Sequence, residues 1–548
     1  MVFCRGRFPN GHVPAAEALF AFTVDDALPA SHNATRTGDD GLNRQPGSLL
    51  RDRAVLCALG LLCAYFLFEL AYYWLGQSQL RGFGTLLLHC ALALIVGKIM
   101  LWLSNGKQCS WHEGILYAFF AALTALPRLA LILAIQVEPQ SDYAFYYQSA
   151  LSLAQTGVFR VTDYNIAVAP NTLTYIGMLG GVLKLLGGSV LTAQIFNLLL
   201  STGAVLIFYA LARRLVNKNM AILASTLFAL WPNHVLFSLC IASEPLALFF
   251  FMGGLYAAVR CFEKSRIKKT VLNGFAAGVL LGISGCVRSN AAAALAAALL
   301  YAALYMLRKE NRLWQSGLFA MAAIALGYFA VDALWGMIAR HVYQAKLGIT
   351  FGWALYEGLD TVGNGSWTQE GHDALMRVMS AYPPERVQGQ MLKLALEKAS
   401  AYDFATWFHL IARKGLNIWL YSDYAYGAVL AAQNAEQSLF LIDPSAAWLF
   451  DDISFLQRFL LVLFSVQGVR MVVRGWRKGV QGMLLLLTFP ILGFVVFHSF
   501  ATSIPRYQYM AVPLFLLATA LMVRQLGDYA VKKKRLVPFL RGKGVSNA

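Results

Sequence analysis

Two carboxylates and three tyrosines follow directly on an apolar run in the first third of the chain. Residues 138–147 read EPQSDYAFYY, which places Glu138 and Asp142 four positions apart, with Tyr143 and Tyr146 beside them. The apolar positions of this stretch have the period of a short amphipathic helix lying on a membrane surface. A carboxylate at the start of such a helix can accept a proton from a hydroxyl group, or it can cap the helix. Asp142 is therefore our candidate general base, and Glu138 is the second candidate.

Three basic residues at the ends of apolar runs are candidates for binding an anion. Arg288 lies in GCVRSNA between two such runs, Arg506 lies in SIPRYQYM at the start of the last run, and Lys184 lies in LGGVLKLLGG. A planar guanidinium matches a phosphate group with paired hydrogen bonds, so we rank the two arginines above the lysine. The alternative for each is a side chain that reaches the lipid headgroups from a helix end.

A further acid and a histidine precede the middle apolar runs. Glu244, in CIASEPLALFF, either stabilises the start of a helix or shapes an anion pocket and orients Arg288. His234, in WPNHVL, can join it in the pocket, and Tyr507 completes the pocket together with Tyr143 and Tyr146. We predict no metal site and no required cofactor. A divalent ion held by His234 with Glu244 or Asp142 is the lesser alternative.

Composition indicates that these side chains belong to a membrane protein. Hydrophobic residues make up 58% of the 548 residues and charged residues only 13%, which excludes an ordinary soluble enzyme of this length. The net charge of +17 comes mostly from short basic clusters between apolar runs, where lysine and arginine orient helices in a bilayer, so we predict no binding of nucleic acid. The eight cysteines include no CxxC pair, and we infer neither a structural disulfide nor a zinc site.

The apolar runs predict the fold class, an all-α polytopic membrane protein. About 12 of them can form helices that cross a hydrocarbon core of roughly 30 Å. One further stretch, 170–188, is short and interrupted by glycines, and we place it as a helix lying in the outer interface, because only then do the basic clusters share one side. The predicted spans are 54–75, 83–103, 114–135, 192–212, 220–239, 242–260, 272–288, 290–307, 315–338, 455–473, 481–498 and 507–525.

The same charge pattern predicts both termini in the cytoplasm of a multi-pass cell-membrane protein and the site on the outer face. Two large segments then face outward. We call residues 136–191 the first loop segment, with interfacial helices, and residues 339–454 the second loop segment, which is mainly helical. The predicted domains are a disordered cytoplasmic leader (1–53), two extra N-terminal helices (54–113), a catalytic membrane core (114–338), the second loop segment, C-terminal helices (455–530) and a basic cytoplasmic tail (531–548).

The order of these features resembles the GT-C superfamily of membrane glycosyltransferases, in the branch of the protein O-mannosyltransferases and the lipid A aminoarabinose transferases (glycosyltransferase family 39-like). The likeness lies in EPQSDY with the helix YYQSALSLAQTG behind it, in TAQIFNLLLSTGAVLIFYALARRL, in ALWPNHVLFSLCIASEPLALFFF and in IPRYQYMAVPLFLLATALMV. It covers roughly residues 114–310 and 480–526. The two extra helices depart from the family pattern, and the second loop segment matches it only at LYEGLDTVGNGSWTQEG.

The resemblance implies transfer of a sugar from a polyprenyl-phosphate carrier, with inversion, to an acceptor outside the membrane. Its partners would be the lipid-linked sugar donor, the membrane and a lipid, glycan or protein acceptor. Asp142 would be the base, with Arg506, Arg288 and Lys184 at the donor phosphate. A polytopic transporter or lipid flippase is the alternative from another class. That alternative predicts charged sites near the bilayer midplane, whereas the acids here gather at one end of the spans.

Overall fold

A computed structural model shows a helical protein. It describes residues 46–76, 79–159, 162–263, 266–307, 313–344, 350–422, 424–439, 441–443, 447–478 and 480–541. Within these ranges no strand forms, and one isolated antiparallel bridge joins Val137 to Gln433. The predicted leader lies outside the described residues up to position 45, as do the last seven residues of the predicted tail. The all-α, polytopic fold class is confirmed.

The first half of the chain, up to the second loop segment, contains thirteen helices among the described residues. The first helix begins inside the predicted leader. In chain order the helices are α1 (Pro46–Leu75), α2 (Gln79–Asn105), α3 (Glu113–Ala134), α4 (Ser141–Thr156), α5 (Asp163–Val168), α6 (Thr172–Leu186), α7 (Val190–Leu215), α8 (Lys218–Ala229), α9 (Pro232–Leu236) with the 3₁₀ turn Phe237–Leu239, α10 (Glu244–Cys261), α11 (Ile267–Val287), α12 (Ala291–Met306) and α13 (Leu313–Tyr343).

The second loop segment and the C-terminal region add eight helices and three 3₁₀ or π-helical turns. Those of the second loop segment are α14 (Gly352–Gly358), α15 (Gln369–Ala381), α16 (Pro384–Ser400), α17 (Phe404–Gly415) with the π-helical turn Leu416–Leu420, and α18 (Tyr424–Ala432). The C-terminal region has α19 (Ala447–Lys478), the 3₁₀ turn Gly482–Leu484, α20 (Leu485–Phe500), the 3₁₀ turn Pro505–Met510 and α21 (Val512–Arg541).

Nine of the described helices are long and apolar enough to cross a membrane. The predicted span 220–239 is divided in two by the structure. α8 and the segment Pro232–Leu239 meet at an angle of 50° and together make a tenth candidate. Pro232 explains the break, because proline is favoured in the first turn of a helix and cannot continue one through its interior. The predicted span 290–307 is the shorter apolar helix α12, and 507–525 begins in the 3₁₀ turn before α21.

The glycine-interrupted stretch 170–188 forms α6, a helix of 15 residues. At 1.5 Å per residue it is about 22 Å long, which is less than the thickness of the hydrocarbon core. α6 packs along α4 of the first loop segment and touches α7 and α11. These contacts hold the first loop segment against the ends of the neighbouring helices.

The two extra N-terminal helices are packed into the body of the protein. α1 contacts α19 and α20, and α2 contacts α19 and α21. Phe66 of α1 meets the rings of Trp419, Phe464 and Phe515 edge to face, with ring centroids 5.3–6.2 Å apart. Such pairs add to the free energy gained by burying the rings. The extra helices are therefore part of the same core as the C-terminal helices.

The second loop segment rests on the first. The side chain of Gln388 in α16 donates to the carbonyl oxygen of Ala167 in α5 and accepts from the backbone N–H of Trp353 in α14. The segment that follows α18 is hydrogen-bonded to residues 134–138, where Asn434 N–H donates to Gln136 O at 2.8 Å. Both loop segments thus form one layer over the ends of the helices.

Candidate active site

Asp142 lies in the first turn of α4, and its carboxylate pairs with an arginine instead of capping the helix. The N-cap residue is Gln140, so the cap alternative for Asp142 is wrong. Ser141, directly before the aspartate, has φ 51°, a left-handed conformation that is uncommon for a residue other than glycine and often occurs near functional sites. The Asp142 side chain is 51% exposed. The base candidate is therefore accessible, and its local backbone is strained.

Arg506 lies in the 3₁₀ turn before α21 and is the partner of Asp142. Its Nη1 donates to Asp142 Oδ2 at 3.0 Å, and its Nε lies 3.9 Å from Glu244 Oε1. The guanidinium also lies 5.6 Å from the ring centroid of Tyr507 and 5.9 Å from that of Tyr424. Only 14% of the Arg506 side chain is exposed. The charge is thus held between acids and aromatic faces, a setting in which an arginine binds anions in a fixed geometry.

Arg288 and Glu244 meet because α10 begins where α11 ends. Arg288 Nη2 forms an ion pair with Glu244 Oε1, and Arg288 Nε donates to Ser243 Oγ at 3.1 Å. The Glu244 side chain is only 3% exposed. The predicted role of Glu244 in orienting Arg288 corresponds to this contact. One carboxylate oxygen therefore lies between two guanidinium groups and offsets their mutual repulsion.

We call Asp142, Glu244, Arg288 and Arg506 the charged cluster. Its two positive and two negative charges balance, so an anion that binds the arginines competes with the carboxylates. Glu244 is buried, whereas Asp142 is half exposed and is the one free to move. Glu244 Oε2 and Arg506 Nε are buried without a hydrogen-bond partner among the described residues, which leaves polar capacity for a ligand.

The predicted pocket tyrosines have different positions around the cluster. Tyr507 has both guanidinium groups near its ring and stacks on His498 with ring centroids 4.8 Å apart. Tyr146 is buried edge to face against Tyr175, and burial raises the pKa of Tyr146 to about 12. Tyr143 is half-buried, and its ring meets Phe237. Tyr507 is therefore the tyrosine that contacts both arginines.

Three other predicted site residues lie away from the charged cluster. Glu138 accepts a hydrogen bond from Asn434 Nδ2 at 2.7 Å, where the segment after α18 meets the first loop segment. Lys184 is exposed in the last turn of α6, without an ion pair to any described residue. His234 is buried in the core, where Nε2 lies 2.9 Å from Tyr509 O and the ring stacks on that of Tyr509. Within the described part of the chain, no group of three or more metal-binding side chains lies close enough together to hold an ion.

The structure adds a carboxylate that we did not predict from the sequence. Glu357 of α14 is buried and accepts a hydrogen bond from Thr502 Oγ1 at 2.7 Å, four residues before Arg506. Burial raises the pKa of Glu357. The hydrogen bond from Thr502 and the charge of Arg506 lower this pKa, and the charge of Asp142 raises it further. The only sequence signal was its place in LYEGLDTVGNGSWTQEG, the one family-like stretch of the second loop segment.

A comparison with family models matches residues 173–335 to dolichyl-phosphate-mannose-protein mannosyltransferase. The matched segment contains Glu244 and Arg288 of the charged cluster. Over this segment it confirms the resemblance to the protein O-mannosyltransferase branch. A comparison with curated proteins gives no significant match.

Two solved structures are similar to parts of this chain. The Saccharomyces cerevisiae protein O-mannosyltransferase Pmt1-Pmt2 complex bound to the sugar donor is 16% identical, with 45% of this chain and 36% of that chain covered and a TM-score of 0.34. ArnT from Cupriavidus metallidurans bound to undecaprenyl phosphate is 12% identical, with 75% of this chain and 78% of that chain covered and a TM-score of 0.31. This chain therefore spans about a third of the yeast protein's length and over three quarters of that of ArnT.

Proposed function

We propose that this protein transfers a sugar from a polyprenyl-phosphate carrier to a hydroxyl group of an acceptor, with inversion at the anomeric carbon. The contact between Asp142 and Arg506, at 3.0 Å across 364 residues of sequence, carries the proposal. It sets a half-exposed carboxylate beside one guanidinium group, and Glu244 links that group to a second one, that of Arg288. Such a site has a general base for the acceptor and positive charge for the phosphate that leaves.

The reaction needs one proton transfer and one displacement. Asp142 takes the proton of the acceptor hydroxyl, whose oxygen forms a bond to the anomeric carbon of the sugar. The bond between that carbon and the phosphate oxygen breaks, and its electron pair stays with the phosphate. Arg506 and Arg288 stabilise the negative charge that develops there. A lipid phosphate is already a good leaving group, so no general acid is required.

Binding of the donor would also prepare the base. In the charged cluster Arg506 Nη1 is occupied by Asp142, and a donor phosphate would take that position with the paired hydrogen bonds that guanidinium offers. Asp142 then turns to the water-exposed side, where an acceptor arrives. Glu138 stays the second candidate base, and Lys184 stays a lesser candidate for the phosphate.

We place the charged cluster at the outer face of the cell membrane, with both termini in the cytoplasm. The carrier's lipid tail would stay in the bilayer, and the acceptor would approach through the two loop segments. The acceptor would be a lipid, a glycan or a protein, and no metal ion is required by these residues. A polytopic transporter or lipid flippase remains the alternative.

The proposal is tested by incubating the protein, in lipid nanodiscs, with labelled polyprenyl-phosphate sugars and a panel of hydroxyl acceptors. We expect transfer with inverted anomeric configuration, measured by chromatography and NMR of the product. Release of free sugar without transfer would point to hydrolysis. Absence of any reaction with every donor would contradict the proposal and favour the transporter.

A further inference from the structure

The segment that presents Arg506 is fixed by the second loop segment. Thr502 N–H donates to Ala354 O at 2.8 Å, and Ser503 N–H donates to Gly365 O at 2.7 Å. Ser503 O accepts from Asn417 Nδ2 at 2.7 Å. Residues of α14, of the turn after it and of the π-helical turn thus surround residues 502–503. The second loop segment is therefore close to the charged cluster, and its side chains can take part in the site.

Glu357 is the carboxylate that this arrangement brings to the cluster. Its Oε2 accepts from Thr502 Oγ1, and the charges of both Arg506 and Asp142 act on its pKa. Contacts place it near the arginines as well. His498 Nδ1 lies 2.9 Å from Thr502 O, and the His498 ring stacks on Tyr507, whose ring lies near both guanidinium groups. Thr502 therefore connects Glu357 to the charged cluster.

Glu357 and Glu244 are both buried, and they belong to different parts of the fold. Glu244 belongs to the helix ends that also supply Arg288, whereas Glu357 belongs to the second loop segment. A carboxylate repels a phosphate and accepts hydrogen bonds from hydroxyl groups. Glu357 is thus unsuited to the donor phosphate and suited to an acceptor hydroxyl.

We propose that Glu357 binds the acceptor beside Asp142, by accepting a hydrogen bond from a donor group next to the reacting hydroxyl. This inference rests on the proposed transferase function and names the acceptor's chemistry. The acceptor is uncharged at its reacting end and carries a second hydroxyl adjacent to the first, as a sugar ring does. A phosphate at that position would face two carboxylates and be repelled.

Kinetics of one conservative variant test the inference. Glu357→Gln keeps an oxygen that accepts from Thr502 but loses the negative charge. Hydrogen bonds to charged groups are about twice as strong as neutral ones, so we expect the KM for an octyl hexoside acceptor to rise about tenfold. Affinity for undecaprenyl phosphate, measured separately by calorimetry in nanodiscs, should stay the same or become tighter. The parent protein should not use the hexoside phosphate.

A matched control separates acceptor binding from a purely structural role. Thr502→Val removes the hydroxyl hydrogen bonds to Glu357 and to Ala354 O while it keeps the carboxylate and the hydrogen bond from Thr502 N–H to Ala354 O. Its KM should stay within about threefold of the parent value. An unchanged KM in Glu357→Gln would overturn the inference. Equal rises in KM in both variants, together with loss of undecaprenyl phosphate binding, would also overturn the inference. Transfer by the parent to other hydroxyl acceptors but not to the hexoside would overturn this inference alone. Absence of transfer to every acceptor would contradict the proposed function itself.

Discussion

At the scale of single residues, the contact between Arg506 and Asp142 would set how strongly the proposed donor site binds phosphate. The guanidinium is nearly buried, and the carboxylate that it binds is the exposed member of the cluster. An incoming phosphate must compete with this carboxylate, because the second carboxylate, Glu244, is buried and already paired with Arg288. The ion pair thus lowers the affinity for the donor while it keeps the base in place.

We expect Asp142→Asn to bind undecaprenyl phosphate more tightly than the parent, by about tenfold. Asparagine keeps the size of the side chain, but as a neutral group it competes less strongly for Arg506. Isothermal calorimetry in nanodiscs measures the change. Glu385→Gln, a change of an exposed acid on α16, is the matched control and should leave the affinity unaltered. Weaker binding by Asp142→Asn would show that the aspartate helps to hold the phosphate.

The sequence was sufficient to predict the members of the charged cluster, because each stands at the end of an apolar run with a residue type suited to the chemistry. It was not sufficient for Glu357, whose approach to Arg506 depends on how the second loop segment packs on residues 502–503. For His234, the position near a helix end predicted a pocket residue, whereas in the structure its ring is buried against Tyr509.

At the scale of helices, α14 lies in backbone contact with the end of α20. A Cβ added at Gly358 would overlap Phe500 O and lie 2.7 Å from Ala501 Cα, so only glycine fits there. The same helix end is held by Lys414, whose Nζ donates to Gly358 O at 2.7 Å. The close approach at Gly358 and the hydrogen bond from Ser503 Oγ to Lys414 O at 3.1 Å therefore join the second loop segment to the segment before Arg506.

Gly358→Ala should destabilise the protein by about 1–3 kcal/mol, because the overlap is with backbone atoms that cannot move locally. It should also weaken binding of undecaprenyl phosphate, since the segment that presents Arg506 is displaced. Gly389→Ala in α16 is the matched control. A Cβ there meets open space, and the change should leave stability equal or slightly higher. Thermal unfolding measures both, and equal midpoints for the two variants would contradict the close approach.

Lys414 gives the stability a pH dependence. Burial lowers the pKa of Lys414 to about 7, against the nearby charge of Glu357, while the unfolded chain keeps a value near 10.5. Between these values the unfolded state binds a proton that the folded state does not. The free energy of unfolding therefore rises with pH in this window, by at most about 1.4 kcal/mol per pH unit, and this contribution is flat below it.

Thermal unfolding at pH 7 and pH 9 tests this dependence. Lys414→Met removes the titrating group, so the variant should lose the rise in midpoint that the parent shows between the two pH values. Lys393→Met changes an exposed lysine of α16 and should keep the parent's rise. The same rise in parent and Lys414→Met would mean that Lys414 does not titrate in this range.

Sequence composition predicts some features of these helices and not others. Long apolar runs between basic clusters were enough to predict the spans, because a membrane demands length and hydropathy. The break at Pro232 and the short α12 depend on local backbone chemistry and packing, which a hydropathy window averages away. The packing of α1 and α2 against the C-terminal helices was unpredictable for a different reason, since lipid-facing and helix-facing apolar residues look alike in sequence.

At the scale of the whole molecule, the orientation in the membrane is still a prediction from the basic clusters. Cysteines introduced at Asp163 and Val362 should be labelled by a membrane-impermeant maleimide in intact cells, and cysteines at Arg266 and Lys268 should not, in a background with all eight cysteines replaced. All four positions are exposed, so access to the reagent decides the result. Labelling at Arg266 would place the charged cluster on the cytoplasmic side.

The most direct test of the proposed reaction is single-turnover transfer from a polyprenyl-phosphate sugar by the parent and by Asp142→Asn, at donor concentrations that saturate both. We predict that the parent forms a product of inverted configuration. The variant should react at least about 10²-fold more slowly although its donor site is full, because asparagine cannot accept the acceptor's proton. Arg386→Lys, a change of an exposed arginine, should react like the parent, and Arg506→Lys should need more donor for saturation. Transfer by Asp142→Asn at the parent's rate would contradict the assignment of Asp142 as the base.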